Sequence, residues 1–178
     1  MFGLFKSKKP AEPATGVAAL MQIFEDLSAK VEAAYVDVKK FSRPEISFFA
    51  MSAISVYIQA GDVPENIEQE LLTQFTERAL ASMLVRLPPP ASSDMLYSVF
   101  VTRFGEYAEL IAHLAGASES NHHRDAVFAL MSALDKNAKV EADAVMAMMR
   151  GLKIGMPLTH AELNVRDAVI AYQSHARP

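Results

Sequence analysis

The chain of 178 residues contains no cysteine. It therefore forms no disulfide, thiolate zinc site or iron–sulfur cluster, and it has no thiol nucleophile. A chain of this length does not need such cross-links, because a folded domain of this size buries roughly 70% of the surface that its unfolded form exposes. The length fits one domain with its own apolar core.

Several catalytic and binding motifs are also missing. The seven glycines form neither Gly-x-Gly-x-x-Gly nor a Walker loop, and the chain contains no Gly-x-Ser-x-Gly and no His-Glu-x-x-His. These motifs cradle phosphates, present a nucleophilic serine or hold zinc. Nothing in the sequence predicts a cofactor.

Positive charge is scarce after the first residues. Lys6, Lys8 and Lys9 precede every acidic residue, and subtracting them from the 17 basic residues leaves 14 basic against 21 acidic groups in residues 10–178, a net charge of −7. Such a surface repels phosphate backbones, so we expect no nucleic-acid partner.

The stretch Ile46–Gly61 carries no charged side chain, although 21% of the whole chain is charged. It is shorter than the roughly 20 apolar residues that cross a bilayer. A helix without a charged face is typical of the interior of a bundle. We predict a central helix at about 43–60, which starts with a capping box formed by Ser42 and Glu45.

No segment alternates with period two, so the predicted fold is all-α: a single-domain antiparallel bundle of six or seven helices around the central helix. Residues 121–150 contain neither glycine nor proline and allow one helix or two, with Asp135-Lys136-Asn137 favouring a break. Gly151, Gly155 and Pro157 are expected to end helical structure, and the last helix to start at Thr159. Residues 17–178 form the predicted domain, after a flexible arm at 1–16.

One seam of apolar residues with strict three–four spacing predicts a long helix over Val17–Phe41. Its members are Val17, Leu20, Phe24, Leu27, Val31, Ala34, Val38 and Phe41. Further apolar residues beside the seam favour packing within the bundle. A homodimer through this helix is the second interpretation.

Three polar positions of the central helix, Ser52, Ser55 and Gln59, lie within about 60° of one another at 100° per residue. Buried polar groups need partners, so this face bonds to helices or lines a ligand pocket. Because serine often bonds to its own helix, a structural role is the simpler interpretation.

Two further groups have both a structural and a functional interpretation. Glu109 and His113 stand four residues apart, which is typical of a solvated helix pair and only weakly suggests a metal site. Met146, Met148, Met149 and Met156 fit ordinary core packing or an adaptable groove for a partner helix.

The amino-terminal arm combines large apolar side chains with lysines and is a candidate for contact with an anionic membrane. The contact residues are Phe2, Leu4, Phe5, Lys6, Lys8 and Lys9. A disordered start with solubilising charge is the simpler alternative. The arm lacks the long apolar run of a signal peptide, so we expect a cytoplasmic protein.

Three functional hypotheses follow. The first is a non-enzymatic protein–protein interaction module, held loosely at a membrane by its arm. The second is a small-molecule-binding bundle with its pocket along Ser52, Ser55 and Gln59. The third is an enzyme with a non-local site around Glu106, Glu109 and His113.

The membrane hypothesis predicts that the full chain sediments with anionic vesicles at low ionic strength, and that a chain lacking residues 1–9 sediments less. Each lysine near the surface adds about 1 kcal/mol, and salt screens this attraction. If both chains stay in the supernatant at low salt, the arm has no membrane role.

Overall fold

The computed structural model describes residues 16–38, 40–116, 120–141 and 143–176, which form six α-helices and no strand. The all-α prediction is confirmed. The helices are α1 (Val17–Ala34), α2 (Arg43–Gln59), α3 (Glu65–Val85), α4 (Ser93–Gly116), α5 (Ser120–Asn137) and α6 (Ala144–Ala176). The predicted membrane-contact residues, Phe2 to Lys9, lie outside the described ranges.

Helix α2, which carries no charged side chain from Ile46 onward, lies at the centre of the fold. It contacts each of the other five helices, and every residue from Ile46 to Ile58 except Ser47 is buried. Tyr107 of α4 packs edge-on against Phe49, with 5.5 Å between ring centroids. With helices on all sides, the stretch from Ile46 to Ile58 has no face suited to a charged side chain.

Helix α1 buries its seam within the chain, from Val17 to Ala34, against α2, α3 and α6. The helix ends seven residues before Phe41, so the predicted length is wrong. Tyr35 leaves the helix and is fully buried, and the β-branched Val36 and Val38 that follow are weak helix formers. A second copy of the chain would have to use another face of α1.

Glu45 does not close the predicted capping box, and Ser42 makes no side-chain cap bond. The carboxylate is buried instead, where it accepts a 2.9 Å hydrogen bond from the Tyr107 hydroxyl and lies 2.7 Å from Arg103 Nε. Glu45 therefore bonds to two side chains of α4 and not to the backbone N–H at the start of its own helix. The capping prediction is wrong for that reason.

Residues 121–150 form two helices with a break after Asn137. Lys139 has a left-handed backbone, with φ of 59°, and the Val140 N–H bonds to the Asp135 carbonyl at 2.9 Å. This is the Schellman arrangement that ends many helices. Asp143 then starts α6, because its Oδ1 accepts a 2.9 Å bond from the Met146 N–H.

Helix α6 runs unbroken through Gly151, Gly155 and Pro157, so the predicted end of helical structure there, and the start at Thr159, are wrong. Gly151 is buried where a Cβ would lie 2.2 Å from Val127, so it serves close packing on α5. Pro157 has no N–H, so only the Lys153 carbonyl loses its helical hydrogen bond. Lys153 is exposed, so this carbonyl can bond to water instead. Thr159 donates its hydroxyl to the Gly155 carbonyl at 3.2 Å.

A buried ion pair joins α6 to α5. Arg150 donates from Nε to Asp135 Oδ1 at 3.0 Å and from Nη2 to Oδ2 at 2.6 Å. Tyr35 donates to the same carboxylate at 2.8 Å, and its ring lies under the Arg150 guanidinium at 5.2 Å. Burial, and then the charge of Asp135, raise the pKa of Tyr35, which therefore stays a donor. We call Tyr35, Asp135 and Arg150 the Arg150 cluster.

We expect Arg150→Met to lower the free energy of unfolding by about 3–5 kcal/mol, because it leaves Asp135 charged and unpaired in the interior. The triple variant Tyr35→Phe/Asp135→Leu/Arg150→Met removes every polar member and should cost less than the single change. Urea denaturation at neutral pH measures both.

Arg43→Met is the matched control, since Arg43 forms an exposed ion pair with Glu32 at 2.9 Å. Exposed pairs contribute about 0–1 kcal/mol. If Arg150→Met lowers the free energy of unfolding no more than Arg43→Met does, the Arg150 cluster does not hold α6 in place.

Candidate functional site

The three polar positions of α2 have different surroundings. Ser52 donates its hydroxyl to the Phe48 carbonyl of its own helix at 2.8 Å. Ser55 is buried and its hydroxyl has no hydrogen-bond partner among the described residues. Gln59 is exposed at the end of α2. None of the three lines the clefts described below.

The acidic and histidine side chains of α4 do not converge on one point. Glu109 and His113 are exposed, and no ion pair joins them in the part of the chain that the structure describes. Glu106 binds Arg103 at 3.2 Å and accepts from Asn137 Nδ2 at 2.6 Å. Among the described residues no group of three or more histidines and carboxylates could hold a metal ion.

Among the described residues, α6 carries more exposed large apolar side chains than any other helix. Six large apolar side chains on it are between 50% and 74% exposed, and they follow the three–four spacing of a coiled-coil seam. Two exposed polar residues occupy the remaining positions of the same spacing. The α6 seam consists of Val145, Met149, Leu152, Met156, Thr159, Leu163, Arg166 and Ile170.

The opposite face of α6 carries a second row, which is buried and, apart from Arg150, has no charged side chain. At 100° per residue, its members centre about 180° from the α6 seam. They are Ala147, Arg150, Gly151, Ile154, Leu158, Ala161, Val165, Ala168 and Val169. Of the two faces, only this one is buried against other described residues, whereas the α6 seam is exposed in that part of the chain.

Clefts run along both sides of the α6 seam. One of about 530 Å³ separates α6 from the start of α5 and includes Tyr57, Val127 and Leu152 among its lining residues. Another, of about 490 Å³, lies between α6 and α1 and is lined in part by Ala33 and Met156. The seam is therefore a ridge with a cleft on either side, a surface that a helix with large side chains can grip.

A third cleft of about 310 Å³ continues the first toward the end of α6, and Tyr57 and Glu162 line both. Burial, and then the negative charge of Glu162, raise the pKa of Tyr57. The phenol therefore stays protonated and can donate a hydrogen bond into the cleft. The apolar lining of the clefts can hold side chains of a partner, and polar groups such as Tyr57 and Glu162 can orient them.

Charged side chains beside the α6 seam are exposed and unpaired within the described residues. Lys153 and Asp167 lie on one flank, Glu162 lies on the other, and Arg166 belongs to the seam itself. None of them takes part in an ion pair of the described chain, although seven other ion pairs form there. They are free to pair with groups on a partner.

Sequence reasoning named the methionines but missed the seam. Met146, Met149 and Met156 are 41%, 51% and 70% exposed, so the core-packing interpretation is wrong for these three, and Met148 is half-buried. The spacing from Val145 to Ile170 was readable in the sequence. The predicted helix ends at Gly151, Gly155 and Pro157 divide this spacing into short pieces, and only the continuous helix α6 joins them.

Comparison with protein-family models, with curated proteins and with solved structures finds no match to this chain. Within the described ranges, none of the helices combines the length and apolarity needed to cross a membrane.

Substitutions of Ser55 and Ser52 test whether the predicted pocket along Ser52, Ser55 and Gln59 exists. We expect Ser55→Ala to leave the free energy of unfolding unchanged or raise it by about 1 kcal/mol, because it removes a buried hydroxyl without a partner. Ser52→Ala loses a made bond and should lower it by about 0.5–1.5 kcal/mol. Urea denaturation of both variants measures the difference.

Native mass spectrometry of the purified wild-type chain completes the test. A small-molecule adduct that Ser55→Ala loses would support the predicted pocket and contradict a purely structural Ser55.

Proposed function

We propose that this protein is a non-enzymatic, α-helical protein–protein interaction module and that the α6 seam is its binding surface. The observation that carries the proposal is the row of exposed apolar residues with coiled-coil spacing on a helix whose other face is fully buried. Contiguous apolar patches on a surface mark interaction sites, whereas scattered ones are ordinary.

The energetics fit reversible binding. Full burial of a large apolar side chain contributes about 1.5–3 kcal/mol. The six large side chains of the α6 seam are already partly covered, so covering the rest contributes roughly 1 kcal/mol each. Association itself costs about 4 kcal/mol or more. The seam's own side chains therefore leave at most about 2 kcal/mol, so apolar side chains of the partner, the clefts and the unpaired charges must supply most of the affinity.

The shape of the surface favours a helical partner. A helix with apolar residues at positions i, i+3, i+4 and i+7 can lie along the ridge and place side chains in the clefts on both sides. The unbranched thioether chains of Met146, Met149 and Met156 adapt to partners of different shape. A helix lying against α6 is the arrangement that uses all of these features.

The cytoplasmic location and the membrane contact through Phe2 to Lys9 belong to this proposal on the strength of the sequence. An arm at a membrane and a docking face on α6 are separable functions. The vesicle experiment addresses the first, and the experiment below addresses the second.

We expect Leu152→Glu/Met156→Glu to abolish partner binding without unfolding the protein, since the two side chains are 74% and 70% exposed. Tagged wild-type and variant chains expressed in the native cell and recovered after cross-linking should differ in a defined set of proteins. Lysine cross-links to those proteins should include Lys153, which lies beside the seam.

Val36→Glu/Val85→Glu is the control, because it adds the same charge at two residues that are 74% and 88% exposed and that belong neither to α6 nor to the lining of its clefts. It should retain every partner. A partner set that is the same for wild type and the α6 variant contradicts the proposal.

A further inference from the structure

We propose that the occupant of the α6 seam is the α6 seam of a second copy of this chain, packed antiparallel in a two-fold symmetric homodimer. This inference rests on the proposed function and names its partner. It differs from a dimer through α1, whose seam is buried inside the chain.

The order of residues along the seam supports self-pairing. About its midpoint, between Met156 and Thr159, an antiparallel alignment pairs every seam position with another: Val145 with Ile170, Met149 with Arg166, Leu152 with Leu163 and Met156 with Thr159. Each pair occurs twice by symmetry. Four of the eight layers join two large apolar side chains, and no layer joins two polar ones.

Charge argues against the parallel alternative. A parallel pair places equivalent seam residues opposite each other, so Arg166 would face Arg166 inside the interface. Glu162 of one copy would also lie near Asp167 of the other at the flanking positions. In the antiparallel pair Arg166 lies on Met149, where its alkyl stem packs and its guanidinium reaches solvent. Electrostatics therefore select the antiparallel orientation.

The available area is that of a stable interface. The α6 seam is about 38 Å long at 1.5 Å per residue, and α6 with its flanking clefts is about 20 Å wide when neighbouring helix axes are 8–10 Å apart. The product is on the order of 800 Å² for each copy, which is what one partner buries in an interface of standard size.

Analytical ultracentrifugation of the full chain over a concentration series tests self-association. We expect the wild type and Val36→Glu/Val85→Glu to form dimers with the same Kd. We expect Leu152→Glu to raise that Kd by more than about 100-fold, because two apolar contacts are lost and two charges are buried by symmetry. Circular dichroism and urea denaturation check that the variant is folded.

The absence of cysteine lets single cysteines report the orientation. An equimolar mixture of Leu152→Cys and Leu163→Cys chains should form a mixed disulfide on oxidation, since these positions face each other. Leu152→Cys alone should not cross-link, because the two copies of that residue lie about 16 Å apart along the helix axis in the antiparallel pair. Efficient cross-linking of Leu152→Cys alone would overturn the antiparallel arrangement.

The two proposals fail in different ways. A wild type that stays monomeric at all concentrations, or a dimer that Leu152→Glu leaves intact, overturns the homodimer. If the monomeric chain still loses cellular partners on changing Leu152 and Met156, the interaction module stands and its partner is a different protein.

Discussion

The position of α6 depends on the ion pair between Arg150 and Asp135. Two charges in the interior cost several kcal/mol each unless they meet, so Arg150 has one acceptable orientation, toward α5 and Tyr35. That orientation sets the rotation of α6 about its own axis. With Arg150 directed inward, the residues from Val145 to Ile170 on the opposite side must face outward. A buried charge thus decides which of two apolar faces of α6 is left for solvent or for a partner.

Patterns that depend on burial alone were readable in the sequence. The absence of charge in Ile46–Gly61 located the central helix, and the spacing from Val17 to Ala34 predicted the buried face of α1. Features that depend on a distant partner were not readable. Glu45 has the spacing of a capping residue, and only the folded chain brings Arg103 and Tyr107 to it. Asp135 belongs to a polar run that favours a surface break, and only the fold supplies Arg150.

The α6 seam was not predicted from the sequence because of three residues, Gly151, Gly155 and Pro157. Gly151 and Gly155 are poor helix formers, and Pro157 lacks an N–H, so local propensity predicts a helix end. Tertiary packing outweighs that propensity here, because Gly151 lets α6 approach Val127 more closely than any side chain would allow. The same small residues help to form the clefts beside the seam. What looked like the end of a helix is therefore part of what shapes its outer surface.

Helix α6 lies at the edge of the bundle, unlike α2, and among the described residues only one of its two apolar faces is buried. Burying the second row against the same chain would require further helices, and leaving it bare invites non-specific association. Thr159 and Arg166 interrupt the exposed row and limit that risk. In a parallel pair each of them would face its own copy, which is unfavourable for Arg166. In the antiparallel pair each faces a methionine instead. Thr159 and Arg166 thus make the α6 seam less apolar, and they also favour the antiparallel orientation of the partner.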